Sequence, residues 1–240
     1  NLIRKLSNGN YKITVVTRNI HQAGYILKTQ SNPGYLELKE LKKFDPEKIE
    51  LLFKNCSICV NMVGILSEKF KNQFKIIHTD LPNLLSKLAN KYNIEKFIHL
   101  SSLGVEKALD SNYAISKFDG EKIIKKNFKN SIILKPSIVY SVDDKFSTTF
   151  MALLSRLPVM PLYYNGKTKF SPIHVSDLVE IILDTIKSEK KSLIIECIGP
   201  EELSFKEILN KILLSINKKR FFFPMPLKLA KLTAKVLQLL

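Results

Sequence analysis

The chain of 240 residues has no tryptophan, three cysteines, eight glycines and four arginines. Each scarcity excludes something. Cys56, Cys59 and Cys197 are too few for a disulfide scaffold, and scarce unpaired thiols suit a reducing compartment. Cys56-Ser-Ile-Cys59 has C-x-x-C spacing, but it opens the apolar run Cys56 to Leu66, which reads as a buried strand. Strand positions three apart face opposite sides, and a redox pair needs a helix N-terminus, so these thiols read as small apolar residues. His21, His78, His99 and His174 show no ligand spacing, so no metal site is expected. No apolar run reaches the ~18 residues of a membrane span, no signal-peptide pattern opens the chain, and no G-x-x-G-x-x-G turn occurs anywhere.

What is abundant is lysine. Lys and Arg total 38 against 22 Asp and Glu, a formal net charge of +16, and only Arg4, Arg18, Arg156 and Arg220 are arginines. A nucleic-acid reader clusters its base, often as Arg among aromatics. Here lysine is spread over nearly every segment, so no nucleic-acid partner is expected. The charge reads first as solvated faces, and second as attraction to an anionic membrane or an acidic protein. With 45% hydrophobic and 25% charged residues the composition is globular.

Hydrophobic patterning predicts strands over 12–17, 35–38, 57–63, 96–101 and 131–134. Helices are predicted over about 46–54, 68–92 and 112–128. Strands without polar alternation, separated by helices, imply a parallel sheet covered on both faces, a doubly wound α/β domain. After Pro136 the texture changes: a helix over about 145–157, a hairpin turn at Asn165-Gly166, helices over about 177–188 and 204–216, a strand over 193–197, and a basic, apolar helix Leu227–Leu240. The expected division is therefore 1–137 as a nucleotide-binding domain and 138–240 as a smaller mixed lobe.

In such a sheet, ligands bind beyond the carboxyl ends of the strands. Thr17-Arg18 ends the first strand. A carboxylate there would bind the ribose hydroxyls of NAD, and a cation suits the extra phosphate of NADP; the plainer reading is an exposed arginine. Asn61-Met-Val63-Gly64 ends another strand, where glycine permits close backbone approach or merely a turn. Ser101-Ser102 ends a third. Tyr113 and Lys117 follow on one helix face, where an ammonium beside a phenol would lower the phenol's pKa and make an acid/base pair. The Y-x-x-x-K spacing alone is weak: it occurs four times, at Tyr35, Tyr92, Tyr113 and Tyr163, where chance gives about one. Only Tyr113 follows a strand ending in Ser-Ser.

Ser101-Ser-Leu-Gly104, Tyr113-Ala-Ile-Ser-Lys117, Lys135-Pro-Ser-Ile-Val-Tyr140 and Pro172-Ile-His-Val-Ser-Asp-Leu178 together resemble the extended and atypical short-chain dehydrogenase/reductase superfamily. Val60-Asn-Met-Val-Gly-Ile-Leu66, His99-Leu-Ser-Ser-Leu-Gly104 and Phe170-Ser-Pro-Ile-His-Val175 resemble one branch of it: the NADPH-binding accessory subunits of respiratory complex I and their bacterial relatives. The likeness covers about residues 10–235.

The resemblance implies a Rossmann-like fold with a C-terminal substrate lobe. It places Thr17 and Arg18 at the adenosine phosphate and Asn61, Val63 and Gly64 on the adenine and ribose side. Ser101 or Ser102, Tyr113 and Lys117 would form the catalytic set, which also touches the cofactor, and Pro136, Ile138 and Val139 would meet the nicotinamide end. It implies NADP(H) in preference to NAD(H), held as a structural or regulatory ligand. The implied partner is complex I or another membrane-associated assembly, and the implied location is cytoplasmic, or peripheral at the cytoplasmic or matrix face of the inner membrane.

The alternative is an active oxidoreductase or epimerase/dehydratase acting on a sugar-nucleotide, isoprenoid or steroid-like substrate. A third reading is a scaffold resting on anionic membrane through Phe221–Phe223 and Leu227–Leu240. Two departures from the superfamily stand out. The glycine-rich phosphate turn and its strand are missing, as if about 10–20 residues preceded Asn1, and Ser141 stands where a glycine is usual.

Overall fold

The computed structural model describes residues 1–9, 11–28, 35–108 and 110–226. The chain order begins α1 (Leu2–Ser7), β1 (Ile13–Thr17), α2 (Ile20–Lys28), β2 (Leu36–Glu40), α3 (Pro46–Phe53) and β3 (Ile58–Asn61). A helical turn α4 (Gln73–Lys75) then runs through a π-helical turn, Ile76–Asp80, into α5 (Leu81–Lys91), followed by β4 (Lys96–Leu100), α6 (Asn112–Asn127) and β5 (Ser131–Pro136). Next come β6 (Val139–Tyr140), α7 (Lys145–Arg156), β7 (Val159–Tyr163), β8 (Lys169–Phe170) and β9 (Ile173–His174). The described part ends with α8 (Val175–Lys187), β10 (Leu193–Cys197), β11 (Leu203–Ser204), α9 (Phe205–Ser215) and β12 (Phe221–Met225).

The chain forms two compact units: Asn1–Pro136 with Ser176–Cys197, and Ser137–Val175 with the segment that starts at Ile198. In the first, β1 pairs with β2, and a four-stranded sheet has the order β10-β5-β4-β3; every pairing is parallel. Every residue of β5 is buried, as are Lys96 to His99 of β4, so these strands lack alternation because both faces are covered. Phe53, Leu88, Ala89, Phe97, Ile124 and Phe128 pack the core formed by α3, α5, α6 and β4. This is the α/β, parallel-sheet architecture that the patterning implies. Local chemistry starts its helices. Asp45 caps α3 by accepting from the Glu47 and Lys48 amides, with Pro46 in the first turn. Ser111 caps α6 through the Ala114 amide.

The second unit has its own core of Leu154, Met160, Leu162, Ile208, Leu209 and Leu213. α9 begins with a reciprocal capping box between Ser204 and Glu207.

Three expectations change. The helix expected over 68–92 begins only at Gln73, because Asn72 sits in the left-handed region at φ 65°. Asn165-Gly166 does not close a hairpin: residues 164–166 form a tight turn of positive φ, after which β8 pairs with β11 while β7 pairs in parallel with β12. Residues 176–197 belong with the first unit rather than with everything after 137. There β10 lies beside β5, and the buried Lys96 ammonium donates to the Thr185 and Ile186 carbonyls at 3.2 and 2.6 Å and also to that of Ser188, closing the end of α8. The helix expected over Leu227–Leu240 lies outside the described residues. Among the described residues no helix is long and apolar enough to cross a membrane.

Candidate functional site

The carboxyl end of β4 is held against β5 beyond the last strand pair. The Ser101 amide donates to Leu134 O at 2.8 Å, and the Leu103 amide to Pro136 O at 3.0 Å. This path points the two serines differently. Ser101 is buried, its hydroxyl donating to the Glu121 carboxylate. Glu121 in turn pairs with Lys135 Nζ at 3.3 Å, which also reaches Glu106 at 2.7 Å. Ser102 is the serine whose side chain approaches the Tyr113 phenol and lowers it. Of the two candidates only Ser102 therefore meets the tyrosine, while Ser101 anchors the strand end to α6.

Tyr113 and Lys117 lie on one face of α6, with Lys117 Nζ 5.9 Å from the Tyr113 ring centroid and 3.1 Å from Leu100 O. Burial pulls the Lys117 ammonium down to about 8, with the Glu121 carboxylate opposing. Burial also pushes the Tyr113 phenol above its ordinary value, only partly offset by Ser102. Removal from water is thus the main influence on this phenol, while the Lys117 ammonium donates to the Leu100 carbonyl.

The exit of β3 completes the wall. Asn61 is buried; its Oδ1 accepts the Val63 amide at 3.1 Å and its Nδ2 lies 3.1 Å from His99 Nδ1. Gly64 follows, exposed, and a Cβ placed on it would sit 3.8 Å from both Lys117 Nζ and His78 Nε2. Asn61, Gly64, Ser102, Tyr113 and Lys117 are thus joined through the ends of β3 and β4 and one face of α6, whereas the Val63 side chain is exposed.

At the end of β1, Thr17 Oγ1 accepts the Asn19 amide at 3.2 Å and Arg18 is exposed. A carboxylate does approach this end. Glu40, in register with Thr17 across the parallel pair, accepts the Ile20 amide at 3.4 Å. Pro136 ends β5 in the first unit. Ile138 and Val139 belong to the second, where Ile138 O accepts the Ile173 amide at 2.9 Å and Val139 pairs with Ile173. There His174 stacks edge-on against Tyr140, while Asp177 sits in the first turn of α8. Among the described residues no three His, Cys, Asp or Glu side chains converge as a metal site would require.

Sequence reasoning missed Glu40, His78, His99, Glu121 and Lys135. Glu40 had a usable signal, since parallel neighbours end together. Glu121 lies one helical turn beyond Lys117, on the same face. For the two histidines nothing local distinguished a site residue from a packed one.

The profile described as "NAD dependent epimerase/dehydratase family" matches residues 1–195. Among curated proteins, the chain is 29% identical over 170 residues to the mitochondrial NADH dehydrogenase (ubiquinone) 1 alpha subcomplex subunit 9 of Dictyostelium discoideum, covering 70% of this chain and 47% of that protein. The chain spans about half the length of the curated relatives it matches. Among solved structures, dTDP-glucose 4,6-dehydratase from Bacillus anthracis in complex with NAD superposes with a TM-score of 0.76 at 17% identity, covering 94% of this chain and 80% of that one. A dTDP-4-dehydrorhamnose reductase from the same organism in complex with NADP gives 0.69 at 16% identity, covering 90% and 84%. The fold is thus one that is solved with either dinucleotide.

Proposed function

The chain belongs to the NAD dependent epimerase/dehydratase family, and from that premise we propose that it holds NADP(H) as an accessory component of a respiratory NADH:ubiquinone oxidoreductase. The first unit would carry the nucleotide and the second a substrate or partner surface. The donor set fits such a ligand. Lys117 and Tyr113 offer an ammonium and a hydroxyl suited to ribose oxygens, Ser102 offers a second hydroxyl, and side-chain-free Gly64 leaves room beside them. Arg18 would meet the adenosine phosphate, which favours NADP(H) over NAD(H); the neighbouring Glu40 is engaged by the Ile20 amide. When bound, the cofactor supplies hydride chemistry.

The choice of holding over turnover is carried by the likeness to accessory subunits of NADH dehydrogenase; burial, which raises the Tyr113 phenol, is in keeping with it. The curated relatives, subunits of mitochondrial NADH dehydrogenase, also support a peripheral place at the inner membrane. The second reading, an active oxidoreductase or epimerase/dehydratase, is favoured by the approach of Ser102 and Lys117 to Tyr113.

Fluorescence titration of the full-length protein tests the proposal. NADPH should bind about tenfold or more tightly than NADH, and Arg18→Ala should remove most of that difference, since a charge-assisted phosphate contact contributes about 1.5–3 kcal/mol. Equal affinities would overturn the NADP preference, and no binding of either would overturn the cofactor role. NADPH-dependent turnover that disappears in Tyr113→Phe would establish the second reading instead.

A further inference from the structure

The π-helical turn before α5 carries a buried imidazole, His78, whose bonding leaves only one tautomer. Its Nε2 faces the Ile65 amide at 3.1 Å. A backbone amide can only donate, so Nε2 carries no proton. The proton is therefore on Nδ1, which donates to Ser116 Oγ at 3.0 Å, and Ser116 Oγ donates onward to Tyr113 O at 2.8 Å. The ring stacks on Phe74 at 5.4 Å and meets the Tyr113 ring edge-on at 5.4 Å. The Thr79 hydroxyl adds a bond to Ser116 O at 3.0 Å.

His99 performs the matching task two residues earlier in the loop, through Asn61. The Val63 amide fixes Asn61 Oδ1 as acceptor, so Asn61 Nδ2 donates to His99 Nδ1. Alternate amides of the β3 exit, at Val63 and Ile65, are thus held by buried side chains, and Gly64 is presented between them beside Lys117.

We propose that His78, as its Nδ1–H tautomer, is a positioning residue that couples the Gly64–Ile65 wall to the Tyr113 helix. Its effect on the nucleotide rests on the cofactor-site reading above; the coupling itself does not. With both ring nitrogens engaged by protein groups, His78 acts by presetting the distance between the loop and α6, so that a ligand does not have to order them on binding.

Three measurements on the full chain test this. Long-range 1H–15N NMR should find Nδ1 protonated and Nε2 bare in wild type; a protonated Nε2 would overturn the proposal. In His78→Phe, which keeps the ring and its stack, amide exchange at Ile65 should quicken at least tenfold while Ile98 on β4 is unchanged. Equal slowing or quickening at both sites would make His78 merely structural and overturn the coupling. His78→Gln, which keeps an acceptor near Nε2, should restore most of the Ile65 protection, and this comparison stands if the Phe variant does not fold. NADPH affinity should fall about tenfold in the Phe variant and recover in the Gln variant. If wild type binds no dinucleotide while Ile65 still responds, the cofactor reading fails and the coupling stands.

Discussion

Lowering the pH from 7 to 5 should destabilise this protein by an amount set mainly by two histidines. His78 and His99 are each 2% exposed. Burial, with the Lys117 ammonium nearby, pulls them down to about 4 and about 3. Below an unfolded-state pKa of about 6.5 the unfolded chain binds a proton at each ring that the folded chain refuses, so stability falls as pH falls. The loss starts near pH 6.5 and continues until the folded rings protonate near 4 and 3. One and a half pH units below 6.5, at about 1.4 kcal/mol per unit, gives about 2 kcal/mol for each ring at pH 5. Together this is about 4 kcal/mol of a domain stability of order 5–15 kcal/mol. The carboxylates held low, Glu37, Glu50, Glu106, Asp144 and Glu207, interfere little. Their unfolded counterparts protonate mostly below pH 5. Lys117, pulled only to about 8, remains charged throughout the window. Urea unfolding followed by circular dichroism at pH 7 and pH 5, at constant ionic strength, reads the difference directly. A change under about 1 kcal/mol would refute the reasoning, as would a full-sized change surviving in the double variant His78→Gln/His99→Gln.

Two further substitutions test the packing that places the site. Gly120→Ala on α6 should gain about 1 kcal/mol by helix propensity, but its Cβ would lie 2.0 Å from the His78 carbonyl oxygen. Backbone would have to move, so a net loss of about 2 kcal/mol or more is expected; a raised melting temperature would contradict the close approach of α6 to the π-helical turn. Lys96→Met should cost about 2–4 kcal/mol, because the carbonyls of Thr185, Ile186 and Ser188 lose their shared donor in a buried setting. An unchanged urea midpoint would show that water replaces it.

Lys96 also shows how far spacing can be trusted. Tyr92 and Lys96 match Y-x-x-x-K as well as Tyr113 and Lys117 do, yet Tyr92 OH bonds Glu50 at 2.7 Å and Lys96 closes a helix end. Position after Ser-Ser separated the two in the sequence because a strand end followed by a helix is a geometric statement, whereas a four-residue interval is not. The same kind of context made the parallel α/β layout readable. Uninterrupted apolar strands such as Ile132-Ile-Leu134 can be satisfied only by cover on both faces. It failed at Asn165-Gly166, where local turn chemistry was real but the strand after it found another partner, β11.

By itself the sequence determined the alternation of strands and helices, the starts of α3 and α6, and the presence of Tyr113, Lys117 and a serine pair at strand and helix ends. These depend on period, capping and order along the chain, which are local quantities. Tertiary structure alone decided which serine meets the tyrosine, that the phenol rises rather than falls, that residues 176–197 return to the first sheet, and that His78 joins Ile65 to Ser116. Each depends on groups from 11 to 92 residues apart sharing a space from which water is excluded, and burial sets both the direction of a pKa and the value of a hydrogen bond.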